Sequence, residues 1–316
     1  MATTKFRAVI VGGGVSGLTL TSALEKSKVE YVLLEDREDF APSVGASIAL
    51  AANGARILDQ LGCYQTIEGH AIPLTNIQTW MDGRMLRDSD ELLFNHKRLG
   101  YPVFFVDRHL LLRKLYDNIE DKSRLLLDKR VSGIGHNQEA ATVRIIVRQE
   151  MFRHTEVNQP GLRDVEENAM LSEYKCMARL LVRLRKDGQG TPSSNIPKFT
   201  DEDAVALAQR SSSVLLSGKV KFADLRENRL PYKLVLLEEG MFRHWIWGRL
   251  ICIGDSIHKW TPNIGQGVND AIESAACVAN ALGRLASLHE TASKKEVERG
   301  LGSVLNDEKR GATSTF

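Results

Sequence analysis

The sequence predicts an α/β fold whose parallel sheet is built from both ends of the chain. Three stretches carry this prediction: two apolar runs near the N-terminus, the first followed by glycines and the second by an acid, and one apolar run near the C-terminus, followed by a glycine-aspartate pair. They read FRAVIV-GGGVSG, YVLLE and LICI-GD. Helical periodicity follows the first and the last of them, which is typical of a parallel sheet covered by helices.

The first strand is predicted over residues 6–11, because FRAVIV is a short apolar run of the kind buried on both faces of a sheet. Gly12, Gly14 and Gly17 follow at GxGxxG spacing, and LTLTSALEKS then continues with a helical pattern. In such a turn the first glycine permits the bend, the second lets the backbone approach a pyrophosphate, and the third lets helix and strand pack closely. The helix N-terminus adds free N–H groups and partial positive charge for the phosphates.

The second strand ends in Glu35, which lies 18 residues after Gly17. A carboxylate at that place can accept both hydroxyls of an adenosine ribose. A glycine turn beside a surface acid also has a purely structural explanation. The full order of strand, glycines, helix, strand and acid nevertheless indicates a Rossmann-like site for an adenine dinucleotide.

Two further segments bear on this site. VGASIALAANGARILDQLG (44–62) passes from small residues into an amphipathic helix. FFVDRHLLLRKLYD (104–117) holds a short strand, then Asp107 and Arg108, then a helix. An arginine that opens a helix beside a dinucleotide site can pair with a phosphate. A solvated arginine in a charged helix start explains the local pattern equally well.

Composition and charge narrow the class of protein. The 316 residues carry 42 Lys and Arg against 40 Asp and Glu, so no strong field favours nucleic acid, and the length suits about two domains. The four cysteines have no metal-ligand spacing, which predicts free thiols and no metal site. No apolar run approaches the roughly 18 residues of a membrane span. An intracellular protein, soluble or at most peripherally membrane-associated, is therefore expected.

With these motifs together, the chain resembles the class A FAD-dependent monooxygenases, most closely the PaxM-type fungal epoxidases of indole-diterpene and meroterpenoid pathways. The matching stretches are VIVGGGVSGL, VLLEDR, ANGARILDQLG, FFVDRHLLL and GDSIHKWTPNIGQGVNDAIESA. The resemblance implies a Rossmann-like FAD-binding domain with a parallel sheet and a truncated, antiparallel β substrate domain. The implied ranges are 1–75, 100–145 and 235–290 for the FAD-binding domain, 76–99 and 150–234 for the substrate domain, and 291–316 for a C-terminal tail.

The resemblance also implies where FAD binds. The family's contacts fall on Gly12, Gly14, Gly17, Glu35, Ala49, Arg108, Asp255, Gly267 and Val268. Asp255 would hold the ribityl hydroxyls, and the helix start from Gly265 to Val268 would face the pyrimidine edge of the flavin. An aspartate that only caps the next helix is the alternative for Asp255. Val268 replaces a small residue, so strain at a positive φ, and weaker flavin binding at that edge, are expected.

No side chain is identified as a catalytic acid or base. His258 follows Asp255 in a predicted loop, where it either acts on substrate or is an ordinary solvated histidine, the second being favoured. The resemblance implies that NAD(P)H reduces the flavin and that molecular oxygen adds to it as a C4a-hydroperoxide. This species would epoxidise or hydroxylate an apolar, prenylated or terpenoid substrate. An FAD-dependent dehydrogenase or reductase, or an inactive truncated paralogue, are the alternatives on the same fold.

Finally, the resemblance predicts that segments are missing. ATVRIIVRQEMFRH (141–154) passes from a strand-like run directly to the segment that follows a central DG motif in the family. YKCMARLLVRLRKDGQG (174–190) joins two stretches that flank strands of the substrate sheet. The family's C-terminal helices, often embedded in a membrane, are also expected to be absent. The antiparallel layer is therefore expected to be incomplete and the flavin poorly shielded from water.

Overall fold

A computed structural model describes residues 7–42, 47–81, 83–131, 171–177, 180–183, 191–192, 199–227, 234–260, 265–288 and 292–313. The helices are α1 (Val15–Lys26), α2 (Ala52–Leu61), α3 (Tyr64–Glu68), α4 (Glu91–Leu99), α5 (Arg108–Asn118), α6 (Asp201–Arg210), α7 (Phe222–Glu227), α8 (Gly267–Leu288) and α9 (Lys294–Thr313). The strands are β1 (Arg7–Val11), β2 (Glu30–Leu34), β3 (Ser47–Leu50), β4 (Ile77–Met81), β5 (Arg84–Ser89), β6 (Phe104–Asp107), β7 (Leu125–Leu126), β8 (Leu171–Met177), β9 (Leu180–Arg183), β10 (Thr191–Pro192), β11 (Leu215–Ser217), β12 (Val220–Lys221), β13 (Val235–Met241), β14 (Ile246–Trp247), β15 (Leu250–Ile251) and β16 (His258–Lys259).

A parallel sheet is confirmed, with the strand order β1-β2-β7. The expectation that the apolar run LICI adds a strand to it from the C-terminal end is wrong, because β15 pairs antiparallel with β14 in a separate two-stranded sheet. β1 and β2 pair in parallel over the full length of both strands. Tyr31 and Leu33 of β2 and Ile10 of β1 point into the core and are almost fully buried. Val9 and Val11, by contrast, are 42% and 38% exposed. The expectation that β1 is buried on both faces is therefore wrong, because the face that carries Val9 and Val11 is only partly covered.

Helix α8 is the centre of the hydrophobic core. Its buried positions, among them Ile272, Ala275 and Val278, contact α1, α2 and α9. These inward residues recur at helical spacing, so one apolar stripe serves several neighbours. The core thus joins the two ends of the chain, as the discontinuous domain predicts. In the part of the chain that the structure describes, no helix, α8 included, is long and apolar enough to cross a bilayer.

Two close backbone approaches fix how α1 and α8 sit against the sheet. A side chain at Gly17 would overlap the carbonyl oxygen of Gly12, so only glycine lets α1 lie this close to the turn after β1. A side chain at Gly254, where φ is +60°, would overlap Ser16 Oγ. The turn before β16 is therefore held directly against the first turn of α1.

The second β layer is antiparallel, as predicted. Its strand order is β10-β8-β13-β16, and β9 also pairs with β8. β13 pairs with β8 over most of its length and with β16 at its end, which connects this sheet to the segment leading into α8. The predicted loss of the DG motif concerns residues 141–154, which lie outside the described residues, as do residues 184–190.

The predicted division into domains stays a prediction. β13 lies in the range expected for the FAD-binding domain, yet it pairs with β8, which lies in the range expected for the substrate domain. The stretch expected as a tail, 291–316, contains α9. Its apolar residues Val297, Leu301 and Val304 follow helical spacing and are buried against the core. Within this stretch, residues 294–313 therefore form a helix, and its part from Val297 to Val304 is packed on the core.

Replacing Gly17 with alanine tests the approach of α1 to the glycine turn. The new Cβ would overlap the Gly12 carbonyl, which cannot move without displacing β1, so we expect a loss of about 1–3 kcal/mol in the free energy of unfolding. Urea denaturation followed by circular dichroism measures it. Gly302→Ala in α9 is the matched control: its Cβ would meet no atom of the described residues within 4 Å, and alanine should stabilise the helix by up to about 1 kcal/mol. Equal effects of the two substitutions would contradict this explanation.

Candidate functional site

The glycine turn and Glu35 form one hydrogen-bonded unit at the end of the parallel sheet. Gly12 has a φ of +99°, and its N–H donates to the Leu34 carbonyl at 2.8 Å. Glu35 Oε2 accepts from the Gly13 N–H at 2.5 Å, and Oε1 accepts from the Arg37 N–H at 3.0 Å. Each carboxylate oxygen keeps a further lone-pair position. The carboxylate is thus oriented by backbone and still able to accept ribose hydroxyls.

The first turn of α1 is open to an anion. Gly14 precedes the helix, no side chain caps it, and the first turn contains no acidic residue. Among the described residues, a Cβ on Gly14 would meet no atom within 4 Å, which leaves open space beside this backbone. Uncapped N–H groups at a helix N-terminus are what a pyrophosphate requires. Together with Glu35, these residues fit the adenosine and pyrophosphate half of FAD.

Asp255 lies in the turn that is held against α1. Gly254–Ser256 form one turn of 3-10 helix, and the contact of Gly254 with Ser16 brings this turn to the first turn of α1. The Asp255 side chain is exposed. It does not cap α8, which begins only at Gly267, so the capping alternative is wrong. An exposed carboxylate at this place fits a ligand that carries hydroxyl groups.

On another side of the candidate site, Ala49 of β3 meets the turn before α8. Gly265 has a φ of +64°, and a Cβ there would lie 3.1 Å from the Ala49 Cβ. The Asn269 side chain contacts both segments, because Nδ2 donates to the Ala49 carbonyl and to the Gly265 carbonyl, each at 3.1 Å. Ala49 and the start of α8, both predicted to face the flavin, are therefore adjacent.

Asn269 is not among the residues predicted from the sequence. It is fully buried, and its Oδ1 accepts from the Ala51 N–H at 2.9 Å. A signal for it exists, since asparagine is a poor helix former and stands here within a helical pattern of apolar residues. A buried amide in that setting needs hydrogen-bond partners. The sequence does not say which partners, because they lie far away along the chain.

Gly267 and Val268 form the first turn of α8. The positive φ of this segment falls on Gly265, and Val268 is not among the residues with positive φ. The strain expected at Val268 is therefore absent, and the expected weakening of flavin binding loses its reason. A Cβ on Gly267 would meet no described atom within 4 Å, so the start of α8, like that of α1, has open space beside it.

Arg108 is the first residue of α5, directly after β6. Asp107 caps this helix, its side chain accepting from the His109 N–H at 2.7 Å, and pairs with Ser47 in the β3–β6 ladder. Among the described residues, Arg108 makes no ion pair. Arg108 is linked to the site through β3, because β3 pairs with β6, the strand that directly precedes Arg108. Residues 43–46, which precede Ser47, lie outside the described residues.

His258 is buried, so the expectation of a solvated loop histidine is wrong. It lies in β16, only 4% exposed, with Nε2 3.3 Å from Ser274 Oγ on α8. Its ring stacks on Trp260 with the ring centroids 6.1 Å apart. Burial lowers the pKa of the imidazole, and the charge of Asp255 acts in the opposite direction. The neutral ring is favoured, and its surroundings are those of a packing residue.

Fold and site together define a dinucleotide-binding protein of the α/β class. The family of FAD binding domains matches residues 5–158 and 197–299. The chain belongs to this family. The structure of HpxO from Klebsiella pneumoniae with FAD and uric acid has a similar fold, with a TM-score of 0.63 and 18% identity over 96% of this chain and 87% of that one.

Comparison with named relatives gives a more specific family. The FAD-dependent monooxygenase ctvC of Aspergillus terreus is 31% identical over 94% of this chain and 74% of its own length. The FAD-dependent monooxygenase verC1 of Penicillium polonicum is 37% identical over 88% of this chain, which spans only 41% of verC1. The chain is thus a member of the fungal family of FAD-dependent monooxygenases, as the sequence motifs predict.

These relatives carry segments that this chain lacks. The alignment with ctvC runs over 351 positions and that with verC1 over 334, although the chain has 316 residues. An alignment longer than the chain contains positions at which only the relative has a residue. This agrees with the predicted loss of internal segments.

Asp270, in the first turn of α8, makes the stability depend on pH. Burial raises the pKa of its carboxyl to about 6 from 3.8, repulsion from Glu273 adds to this, and contact with Trp260 opposes it. The folded protein therefore keeps this proton over a pH range in which the unfolded chain has lost it. The resulting stabilisation is full below pH 3.8 and is lost as the pH rises through about 6.

Asp270→Asn removes this dependence. Relative to the parent protein, the free energy of unfolding of the variant should rise between about pH 4 and about pH 7, because only the parent must then bury a charge. Chemical denaturation at a series of pH values measures the difference. Asp117→Asn, which changes an exposed aspartate of α5, is the control and should show no such trend. A constant difference for Asp270→Asn would contradict the assignment.

Proposed function

We propose that this protein is an FAD-dependent monooxygenase that transfers one oxygen atom from O2 to a small apolar substrate. The reaction would be epoxidation or hydroxylation of a prenylated or terpenoid intermediate of secondary metabolism. One observation carries the proposal: the glycine turn with Glu35, the Gly254–Asp255 turn and the Gly265 turn with Ala49 are all assembled around α1 and the start of α8. Membership of the monooxygenase family supports it.

The N-terminal elements would hold the adenine half of FAD. The N–H groups at the start of α1, beside Gly14, would bind the pyrophosphate. Glu35 would accept the ribose hydroxyls with the lone pairs that its two backbone donors leave open. Arg108 would place its charge beside a phosphate, for which a guanidinium has matching geometry.

The C-terminal elements would hold the flavin half. Asp255 would accept hydrogen bonds from the ribityl hydroxyls, since its carboxylate is exposed beside the start of α1. The first N–H groups of α8 would face the pyrimidine edge, where the helix N-terminus favours negative charge. The backbone of Ala49 and of residues 265–268 would line that edge. FAD bound in this way supplies the redox chemistry that activates molecular oxygen, and NAD(P)H is the proposed electron donor.

An apolar substrate suits the surface next to this edge. Phe105 pairs with Ala49 in the β3–β6 ladder and is 57% exposed. An exposed aromatic ring beside the proposed flavin edge offers an apolar contact to a ligand. This favours prenylated or terpenoid substrates over charged ones. The assignment to the PaxM-type epoxidases within the family remains a prediction.

A flavoprotein that is reduced by NAD(P)H but transfers oxygen poorly is the second candidate. The observation in its favour is that the relatives carry internal segments without counterparts here. Segments that close over a flavin exclude water and hold the substrate. A chain that lacks them would release hydrogen peroxide instead of oxygenated product.

The first test is whether the purified protein contains FAD in stoichiometric amount, read from its visible absorption spectrum. Glu35→Ala should then weaken FAD binding by about tenfold to a hundredfold, because a charged hydrogen bond contributes roughly 1.5–3 kcal/mol. Arg108→Ala should weaken it as well, through the phosphate contact. Asp36→Ala is the matched control: its carboxylate pairs at the surface with Arg130, 2.9 Å away, and FAD affinity should not change. Unchanged affinity in Glu35→Ala would count against the site.

The fraction of NADPH oxidation that is coupled to oxygenated product distinguishes the two candidates. With NADPH and a prenylated substrate, the proposed monooxygenase should transfer oxygen to the substrate, whereas the second candidate should convert most of the NADPH consumed into hydrogen peroxide, because water would reach the reactive face of its flavin. Peroxide and product are measured against NADPH oxidation, with 18O2 as the oxygen source. Near-complete transfer of 18O to the substrate would show that the absent segments are dispensable.

A further inference from the structure

The side chain of Asn269 binds three backbone groups in the middle of the candidate site. Its Oδ1 accepts from the Ala51 N–H at 2.9 Å, and the two N–H groups of Nδ2 donate to the carbonyls of Ala49 and Gly265 at 3.1 Å. Asn269 has no exposed surface. Both donors and the acceptor of the amide are therefore used, and water cannot replace them.

These three partners belong to two segments that are distant in sequence. Ala49 and Ala51 stand where β3 passes into α2, 220 and 218 residues before Asn269, and Gly265 stands in the turn before α8. The same two segments are proposed to line the pyrimidine edge of the flavin. Without the Asn269 amide, the two carbonyls and the N–H would lose the bonds that link these two segments.

Close packing leaves the amide little freedom. A Cβ on Gly54 would lie 2.5 Å from Asn269 Oδ1, so the first turn of α2 rests directly on the side chain. Gly265 also approaches Ala49 closely, with 3.1 Å between a Cβ placed on Gly265 and the Ala49 Cβ. Asn269 itself is anchored by α8, whose next inward residue, Ile272, is fully buried. The core thus fixes the amide, and the amide fixes the spacing of the two segments.

We propose that Asn269 is a positioning residue for the flavin half of FAD. It holds Ala49 at a set distance from the start of α8, and this distance shapes the edge that receives the isoalloxazine ring. It acts through backbone, without touching the cofactor. The proposal rests on the proposed FAD site. It predicts that a change at Asn269 weakens binding of the flavin half and leaves binding of the adenine half unchanged. Gly12–Gly17 and Glu35 would hold the adenine half without Asn269.

The test compares FAD with ADP, which carries the adenosine and the pyrophosphate but no flavin. In Asn269→Ala, calorimetric titration should give an FAD Kd raised about tenfold or more, and an ADP Kd changed by less than about twofold. The visible spectrum of the FAD that still binds should shift, because the ring's hydrogen-bonding partners move. Asn118→Ala is the matched control. It removes amide hydrogen bonds from α5 to Ser22 Oγ and to the Leu61 carbonyl, at 2.9 and 3.1 Å, at residues outside the proposed FAD site, and should leave FAD binding unchanged.

A second variant keeps the shape of the side chain. Asn269→Asp, when ionised, offers no N–H to the two carbonyls, so its FAD affinity should be low at neutral pH. The affinity should recover as the pH falls, because the protonated carboxyl regains one donor.

The outcomes separate the two proposals. Unchanged FAD affinity in Asn269→Ala would overturn the positioning role. Equal losses of FAD and ADP affinity in both variants would also overturn it, because they indicate a general effect on folding. A parent protein that binds ADP but no FAD would overturn the proposed cofactor, and the inference with it.

Discussion

The contact between Gly254 and Ser16 joins the two ends of the chain, and the rest of the site depends on it. A side chain at Gly254 would force the turn away from α1, and α8 would move with it. The contact between Gly17 and Gly12 acts in the same way on the other side of α1. Glycine at these two positions lets backbone meet its neighbour directly, so the starts of α1 and α8 lie within one core. FAD bound as proposed would reach both helix N-termini.

The electrostatics of the two helix starts differ. α1 begins without an acidic side chain, so its partial positive charge is free for a phosphate. α8 carries Asp270 in its first turn, where a helix dipole would favour the charged carboxylate. Burial acts more strongly and raises the pKa of this group to about 6. The first turn of α8 therefore carries a carboxyl that gains its charge only as the pH rises through about 6, whereas the first turn of α1 has no such group.

The elements near the N-terminus could be predicted because the residues that determine them are close in sequence. The pairing of β1 with β2, the glycine turn and the place of Glu35 all follow from spacing within about thirty residues. Asn269 could not be found in this way, since its partners on β3 lie more than two hundred residues earlier. His258 was expected in solvent because its burial is created by α8, which no local pattern reveals. The strain expected at Val268 failed for a related reason, since the turn places the positive φ on Gly265.

The long separation in sequence between Asn269 and its partners near β3 also affects how the chain folds during synthesis. Residues 49–51 leave the ribosome 218 to 220 residues ahead of the amide that binds them. At about 5–20 residues per second, this interval lasts roughly 10–40 s. During that time the apolar face of α1, with Leu18 and Leu24, has no α8 to cover it. Contacts between residues this far apart slow folding, and an uncovered apolar face is the kind of surface that chaperones shield during synthesis.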